Sequence, residues 1–326
     1  MKQLFIVVVW LPLFLSGCAS QTSAPSVSVK PNLYDQYMQE ERTWAGLATQ
    51  KLRVRDNLEV VYSYGGKETG PVLVLLHGYY GDRNNWNRVA RQLQQHFYLI
   101  IPDLPGHGDS PEHPTSNYSL AEMAYVLRDL VETLGISQFS LAGHSMGGAV
   151  ALQWAMLDYK ALDKLILMDS AGKYSNNRSS IMEQMMKGNN VMRIAKKGDG
   201  ARVMELAMAN PPFVPAQVMA DFEAKQLSRT PVYDKVMEQM LARDKTLNVR
   251  LFNTALKLLP MPVLVVWGEK DALFSANVTD QYKNWLKQGQ VVVLPDIGHS
   301  PLLEAPLLTS QAMKRFLQSA TPQSAP

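Results

Sequence analysis

The 326-residue chain has a single cysteine, Cys18, so no intrachain disulfide can form and a disulfide-stapled scaffold is excluded. Net charge is also scarce: +3 with histidine neutral, and no run of Lys and Arg longer than a dipeptide such as Lys196-Lys197. A dedicated nucleic-acid binder carries a concentrated basic face, so no nucleic-acid partner is expected. Gly and Pro, 20 and 19 in number, are too few for a collagen-like or low-complexity chain. The longest apolar run, Leu4 to Leu15, falls short of the ~20 residues that span a bilayer as a helix. No internal repeat is visible, which removes solenoids and propellers. What is present, 46% hydrophobic and 19% charged residues, is the composition of a compact globular protein with a substantial core.

The first residues stand apart from that core. Lys2 supplies a positive charge, the apolar run follows, and Ser16, Gly17 and Cys18 close it. Charge, apolar stretch and small residues in that order read as a secretory signal. The segment Leu15-Ser16-Gly17-Cys18 resembles the lipobox of bacterial lipoproteins, in which the signal is cut before a cysteine that is then acylated. That resemblance implies lipidation of Cys18 and an envelope protein. Ala19, where an inner-membrane retention signal would have Asp, points to the outer membrane. Several acyl chains on one cysteine would give the stable anchoring that one chain cannot.

Residues 1–17 are thus expected to be a signal peptide, and 18–32, rich in Ser, Ala and Pro, a tether. A helix is expected from Tyr34 to about Thr49, with Leu33, Met38, Trp44 and Leu47 as its apolar contacts. Two strands, Lys51–Arg55 and Leu58–Tyr64, should follow around an Asp56-Asn57 turn. Then strand-like runs alternate with helical ones: strands at Val72–Leu76, Tyr98–Ile101, Phe139–Ala142, Leu165–Met168, Val263–Trp267 and Val291–Leu294. Helices are expected at Ser119–Leu134, Gly147–Leu157, Ala276–Lys287 and Pro306–Ser319. Strands apolar on both faces, alternating with helices, imply an α/β fold with a mostly parallel sheet covered on both sides. Residues 33–169 and 260–319 form this core. Residues 170–259 lack strand-like runs and hold nine of the seventeen methionines; they read as a helical cap inserted after the sixth strand. Residues 320–326 are a tail.

The chemistry gathers at strand ends. Gly143-His144-Ser145-Met146-Gly147-Gly148 joins a predicted strand to a predicted helix, where a sharp turn would lift the Ser145 hydroxyl above the sheet edge. A serine hydroxyl needs a base, and that base an orienting acid. Asp271 lies just past the Val263 strand and His299 just past the Val291 strand. Glu269 and Asp296 lie near the same loops, and Asp169, which follows the Leu165–Met168 strand, stays open as an alternative acid. Oxyanion donors are expected from the backbone N–H of Met146 and of Tyr79, the latter in the loop His77-Gly78-Tyr79-Tyr80-Gly81. The segment 103–110, DLPGHGDS, should rim the site as a turn. His144 reads as an elbow residue, His96 and His113 as surface residues. No histidine pair has metal-ligand spacing, so no metal and no other cofactor is expected.

The order Ser145, Asp271, His299, together with HGYYGDRNNW, IPDLPGHGDS, GHSMGG, LILMDSAG, PVLVVWGEKD and DIGHSPLLE, resembles the α/β-hydrolase superfamily from Leu58 to Leu317. DSAG and PPFVP make it similar to the family V bacterial lipases, some of which are lipoproteins. The resemblance implies a serine carboxylic-ester hydrolase, a lipase or esterase acting on acylglycerols or other acyl esters; a monomer is expected. Epoxide hydrolases and haloalkane dehalogenases have Asp where this chain has Ser145, and proline iminopeptidases an HGGPG-type loop. A carbon–carbon bond hydrolase of the same fold, or a non-catalytic envelope binding protein, is the alternative.

Overall fold

The structure, a computed structural model, describes residues 32–55, 58–172, 179–246 and 249–320. Cys18, the signal and nearly all of the tether lie outside them, as do Asp56 and Asn57. Helix α1 (Leu33–Trp44) leads into β1 (Leu47–Arg53), β2 (Glu59–Gly66) and β3 (Val72–Leu76). After a 3-10 turn at Arg83–Trp86 come α2 (Asn87–Leu93), β4 (Tyr98–Pro102), α3 (Leu120–Thr133), β5 (Phe139–His144), α4 (Met146–Leu157) and β6 (Leu162–Met168). Five helices follow: α5 (Ser180–Met186), α6 (Asp199–Ala207), α7 (Ala216–Ser228), α8 (Thr230–Thr246) and α9 (Val249–Lys257). The chain then returns through β7 (Val263–Gly268), α10 (Val278–Trp285), β8 (Gly289–Leu294), α11 (Pro301–Glu304) and α12 (Pro306–Gln318).

The strands form one sheet in the order β1-β2-β4-β3-β5-β6-β7-β8. Pairings from β4 to β8 are parallel, and β1 and β2 join antiparallel at one edge. Alternation along β3 shows how the sheet is covered. Val74 and Leu76 pack with α3 and α4 on one face, Leu73 and Leu75 with α2 and α12 on the other. This is the expected α/β arrangement, with the helical run after the sixth strand.

Three local expectations change. Helix α1 stops at Trp44, because Gly46 takes a left-handed φ of +66° and turns the chain directly into β1. Thr49 is therefore strand. Trp44 and Leu33 face solvent, while Tyr34 and Glu41 are the buried residues of α1. Helix α2 has no counterpart in the sequence reading; Asn84, Asn85 and Asn87 look like loop, yet the Asp82 side chain caps the 3-10 turn by accepting the Asn84 N–H. His113 is not a surface residue: its ring is largely buried and its Nε2 lies 3.2 Å from Glu122 Oε1.

Candidate active site

Ser145 sits between β5 and α4 with φ +52° and ψ −117°, a conformation that side chains rarely adopt. Its N–H donates to Met168 O at 2.9 Å, and its carbonyl accepts from the Ala149 and Ala171 N–H groups, so the turn is held from three sides. The flanking glycines are obligatory. A Cβ on Gly143 would lie 2.2 Å from Gly147 O, and one on Gly147 would lie 2.4 Å from His77 O.

The loops after β7 and β8 bring two more side chains to this turn. His299 Nε2 lies 2.9 Å from Ser145 Oγ, and His299 Nδ1 lies 2.8 Å from Asp271 Oδ2. The other Asp271 oxygen accepts the N–H groups of Leu273 and Phe274 at 2.8 and 2.9 Å. Both Asp271 and His299 are buried, and the Phe274 ring packs edge-on against the imidazole. A carboxylate so held can fix the tautomer with Nδ1–H toward it and leave Nε2 free to accept the serine proton.

Asp169 is also close. It is fully buried at the end of β6, and a side-chain oxygen of it lies within 4.8 Å of such atoms on Asp271 and His299. Asp271, however, is the carboxylate hydrogen-bonded to the imidazole. Burial and the neighbouring Asp271 charge push the Asp169 carboxyl well above the usual carboxylate range. Glu269 and Asp296 face solvent, where Asp296 pairs with Lys270 at 2.6 Å.

The loop after β3 lies against the serine: a Cβ on Gly78 would be 3.1 Å from Ser145 Cβ. The N–H groups of Tyr79 and Met146 take no hydrogen-bond acceptor among the described residues. His77 orders the loop, its Nδ1–H donating to Gly78 O at 2.8 Å and its Nε2 accepting the Leu104 N–H at 3.0 Å. Complete burial draws its pKa down to about 4, so the ring is neutral and can do both. Beneath, Arg83 is buried in an ion pair with Asp103 and donates to Asp109 at 2.6 Å, tying the loop after β3 to the DLPGHGDS turn.

Supporting residues not singled out by sequence come from distant elements. His299 N–H donates to Ala207 O at 2.7 Å, which joins the histidine loop to the end of α6. Glu304 accepts from the N–H groups of Ala209, Asn210, Gly298 and Ser300 and clamps the same junction. Glu304 is signalled in sequence only by its nearness to His299, and Ala207 by nothing.

The triad opens into a cavity of about 530 Å³. Met182, Met185, Met192, Met204 and Met237 of the helical segment line it, with Phe274 and Tyr79 nearer the serine. Its other wall is α1 and the start of α2, where Tyr37, Glu41 and Arg88 stand.

Residues 71–306 match the alpha/beta hydrolase fold family. Lipase 3 of Moraxella sp. (strain TA144) is 32% identical over 93% of this chain and 94% of its own. Lipase 1 of Psychrobacter immobilis is 31% identical over 93% of each. The crystal structure of lip1 from Acinetobacter baumannii AYE superposes with a TM-score of 0.84 at 34% identity, over 87% of this chain and 95% of that one. The chain belongs to the α/β-hydrolase fold family, within which it is similar to bacterial lipases and is by class a carboxylic-ester hydrolase.

Proposed function

We propose that the protein cleaves acyl esters, acylglycerols among them, through an acyl-enzyme on Ser145. His299 takes the Ser145 proton as Oγ attacks the ester carbonyl; the N–H groups of Met146 and Tyr79 hold the oxyanion. Collapse of that intermediate breaks the ester C–O bond, and His299 passes the proton to the departing alcohol. Water then attacks the acyl-serine with His299 again as base, releasing the acid and restoring the serine. Asp271 keeps the imidazole oriented and stabilises its charged form. The observation that carries this reading is the continuous chain Ser145 Oγ, His299, Asp271, at 2.9 and 2.8 Å, at the base of an apolar cavity.

The cavity wall supports an amphipathic substrate. Methionines are flexible and fill around varied acyl chains. On the α1 side, Arg88 Nε and Nη2 donate to Glu41 Oε1 at 3.0 and 2.9 Å, and Nη2 also reaches the Tyr37 hydroxyl at 3.3 Å. A neutral pair that both donates and accepts suits the hydroxyls of a glycerol moiety, and Glu41 disfavours a second anion there. By this reading Cys18 carries the lipid that holds the enzyme at the envelope, on the outer membrane, and residues 170–259 cap the site.

Initial rates on p-nitrophenyl esters from acetate to palmitate, with Ser145→Ala in parallel, test the proposal. Activity and fluorophosphonate labelling that both vanish in the variant support it; labelling that survives overturns the acyl-Ser145 step. Release of a Cys18→Ser variant from membranes tests the anchor, and unchanged fractionation would remove it.

A further inference from the structure

The triad accounts for one of the two buried carboxyls that lie beside His299 among the described residues. Asp169 is held with φ +41° where β6 ends, its N–H donating to Val266 O at 3.0 Å and its Oδ1 accepting the Gly268 N–H at 2.8 Å. Its Oδ2 is buried with no partner supplied by any N–H or hydroxyl among the described residues. No Lys or Arg among them pairs with Asp169. The charged or titratable groups facing it are Asp271, His299 and, further off, Glu304. Two adjacent carboxylates sharing one neutral imidazole cannot both stay ionised in a dry site. Asp271, satisfied by two N–H groups and the imidazole N–H, is the one equipped to be the anion. The orphaned oxygen of Asp169 is the place for a proton.

Resting on the triad reading above, we propose that Asp169 is a positioning residue that keeps its carboxyl proton and donates it as a hydrogen bond to Asp271. Four groups then line up: the Asp169 O–H on Asp271, Asp271 on the His299 Nδ1–H, and His299 Nε2 on the Ser145 hydroxyl. No proton leaves Asp169 in the cycle. The bond holds Asp271 against the imidazole and draws off part of its charge, so it tunes how strongly the triad favours imidazolium. Burial and the Asp271 charge favour the protonated form of Asp169, in agreement with this geometry.

Three variants and two readouts decide it. Asp169→Asn keeps an N–H donor, whereas Asp169→Ala removes it. The Ala variant should move the acidic limb of the kcat/KM profile upward by about 0.5–1 pH unit and lower kcat about tenfold or more; the Asn variant should recover most of that loss. Infrared difference spectra at neutral pH should show a protonated carboxyl band in the wild type that is absent in Asp169→Asn. Where Asp169→Ala fails to fold, the band and the Asn profile still decide the question. Absence of the band, or an acidic limb that does not move in Asp169→Ala, overturns the proposal. So does a requirement for a divalent cation, since the two carboxylates would then share a metal in place of a proton. Ser145→Ala, run alongside, separates the two readings: full activity there would remove the triad itself, while its loss with an unmoved Asp169 profile would remove only this role.

Discussion

His144, the residue before the serine, donates its Nε2–H to the carbonyl oxygen of His299 at 2.6 Å. The Ser145 turn therefore grips the backbone of the residue proposed as its base. Burial draws the His144 pKa down to about 3, so the ring stays neutral and the bond persists wherever the enzyme works. Replacing His144 with Leu should lower kcat by about 10–100-fold with a smaller change in KM, because misplacement of the base affects the reacting geometry more than substrate binding. Steady-state kinetics on one ester check this; a change confined to KM would count against it.

Arg83 stabilises the loop after β3, which carries Tyr79. It and Asp103 are both buried, and the Asp103 carboxylate also accepts the Arg83 and Asp109 N–H groups. Removing one partner of such a pair strands a buried charge. Arg83→Met should thus cost about 3–5 kcal/mol of stability, and adding Asp103→Leu should return part of it. Urea unfolding of the two single variants and the double variant measures the coupling, and additive losses would show that the pair acts separately.

His107 is buried against the Tyr233 ring with its Nδ1–H on Pro105 O, and its pKa is drawn down to about 3. Its folded value lies below its unfolded value near 6.5, so below that pH the unfolded chain binds the extra proton. Stability contributed by the neutral ring is complete above pH 6.5 and is lost as pH falls toward 3. His107→Phe should remove one proton from this linkage and flatten the slope by ~1.4 kcal/mol per pH unit between about pH 4 and 6. Unfolding free energies at several pH values check the slope; equal slopes in both proteins would place the titration elsewhere.

The parts of the site that sequence made legible are those that strand ends dictate. Ser145, Asp271 and His299 follow β5, β7 and β8, and a parallel sheet brings such ends to one edge whatever lies between them. The positions of Tyr79 and Met146, the proposed oxyanion donors, follow the ends of β3 and β5 for the same reason. Helix α2 was not, because its seven residues bury only Asn87, Val89, Ala90 and Leu93, too short a pattern to stand out among polar neighbours. Glu304, Ala207 and the bond from His144 were hidden because they act across the tertiary fold. In Asp169 the sequence offered an alternative acid, and only the hydrogen bonds of Asp271 separate the two carboxyls.

The wall formed by α1 bears on which esters are preferred. Arg88 bonds Glu41 and, at 3.3 Å, the Tyr37 hydroxyl, so the three side chains form one polar patch on an otherwise apolar cavity. An ester with a hydroxylated alcohol can use that patch; an ethyl ester of the same acid cannot. Arg88→Met removes the donor and leaves the Glu41 carboxylate without its cation at the wall, where it would repel the lone pairs of a carbonyl oxygen. The variant should raise KM for a monoacylglycerol about 10-fold, the value of one or two hydrogen bonds to a charged group. KM for the ethyl ester should change by less than about threefold, because the acyl chain and the triad are untouched. Parallel titration of the two esters, matched in chain length, reads the difference directly. An equal rise on both would mean that Arg88 acts through the fold of α1 against α2, and that the alcohol leaves by another route.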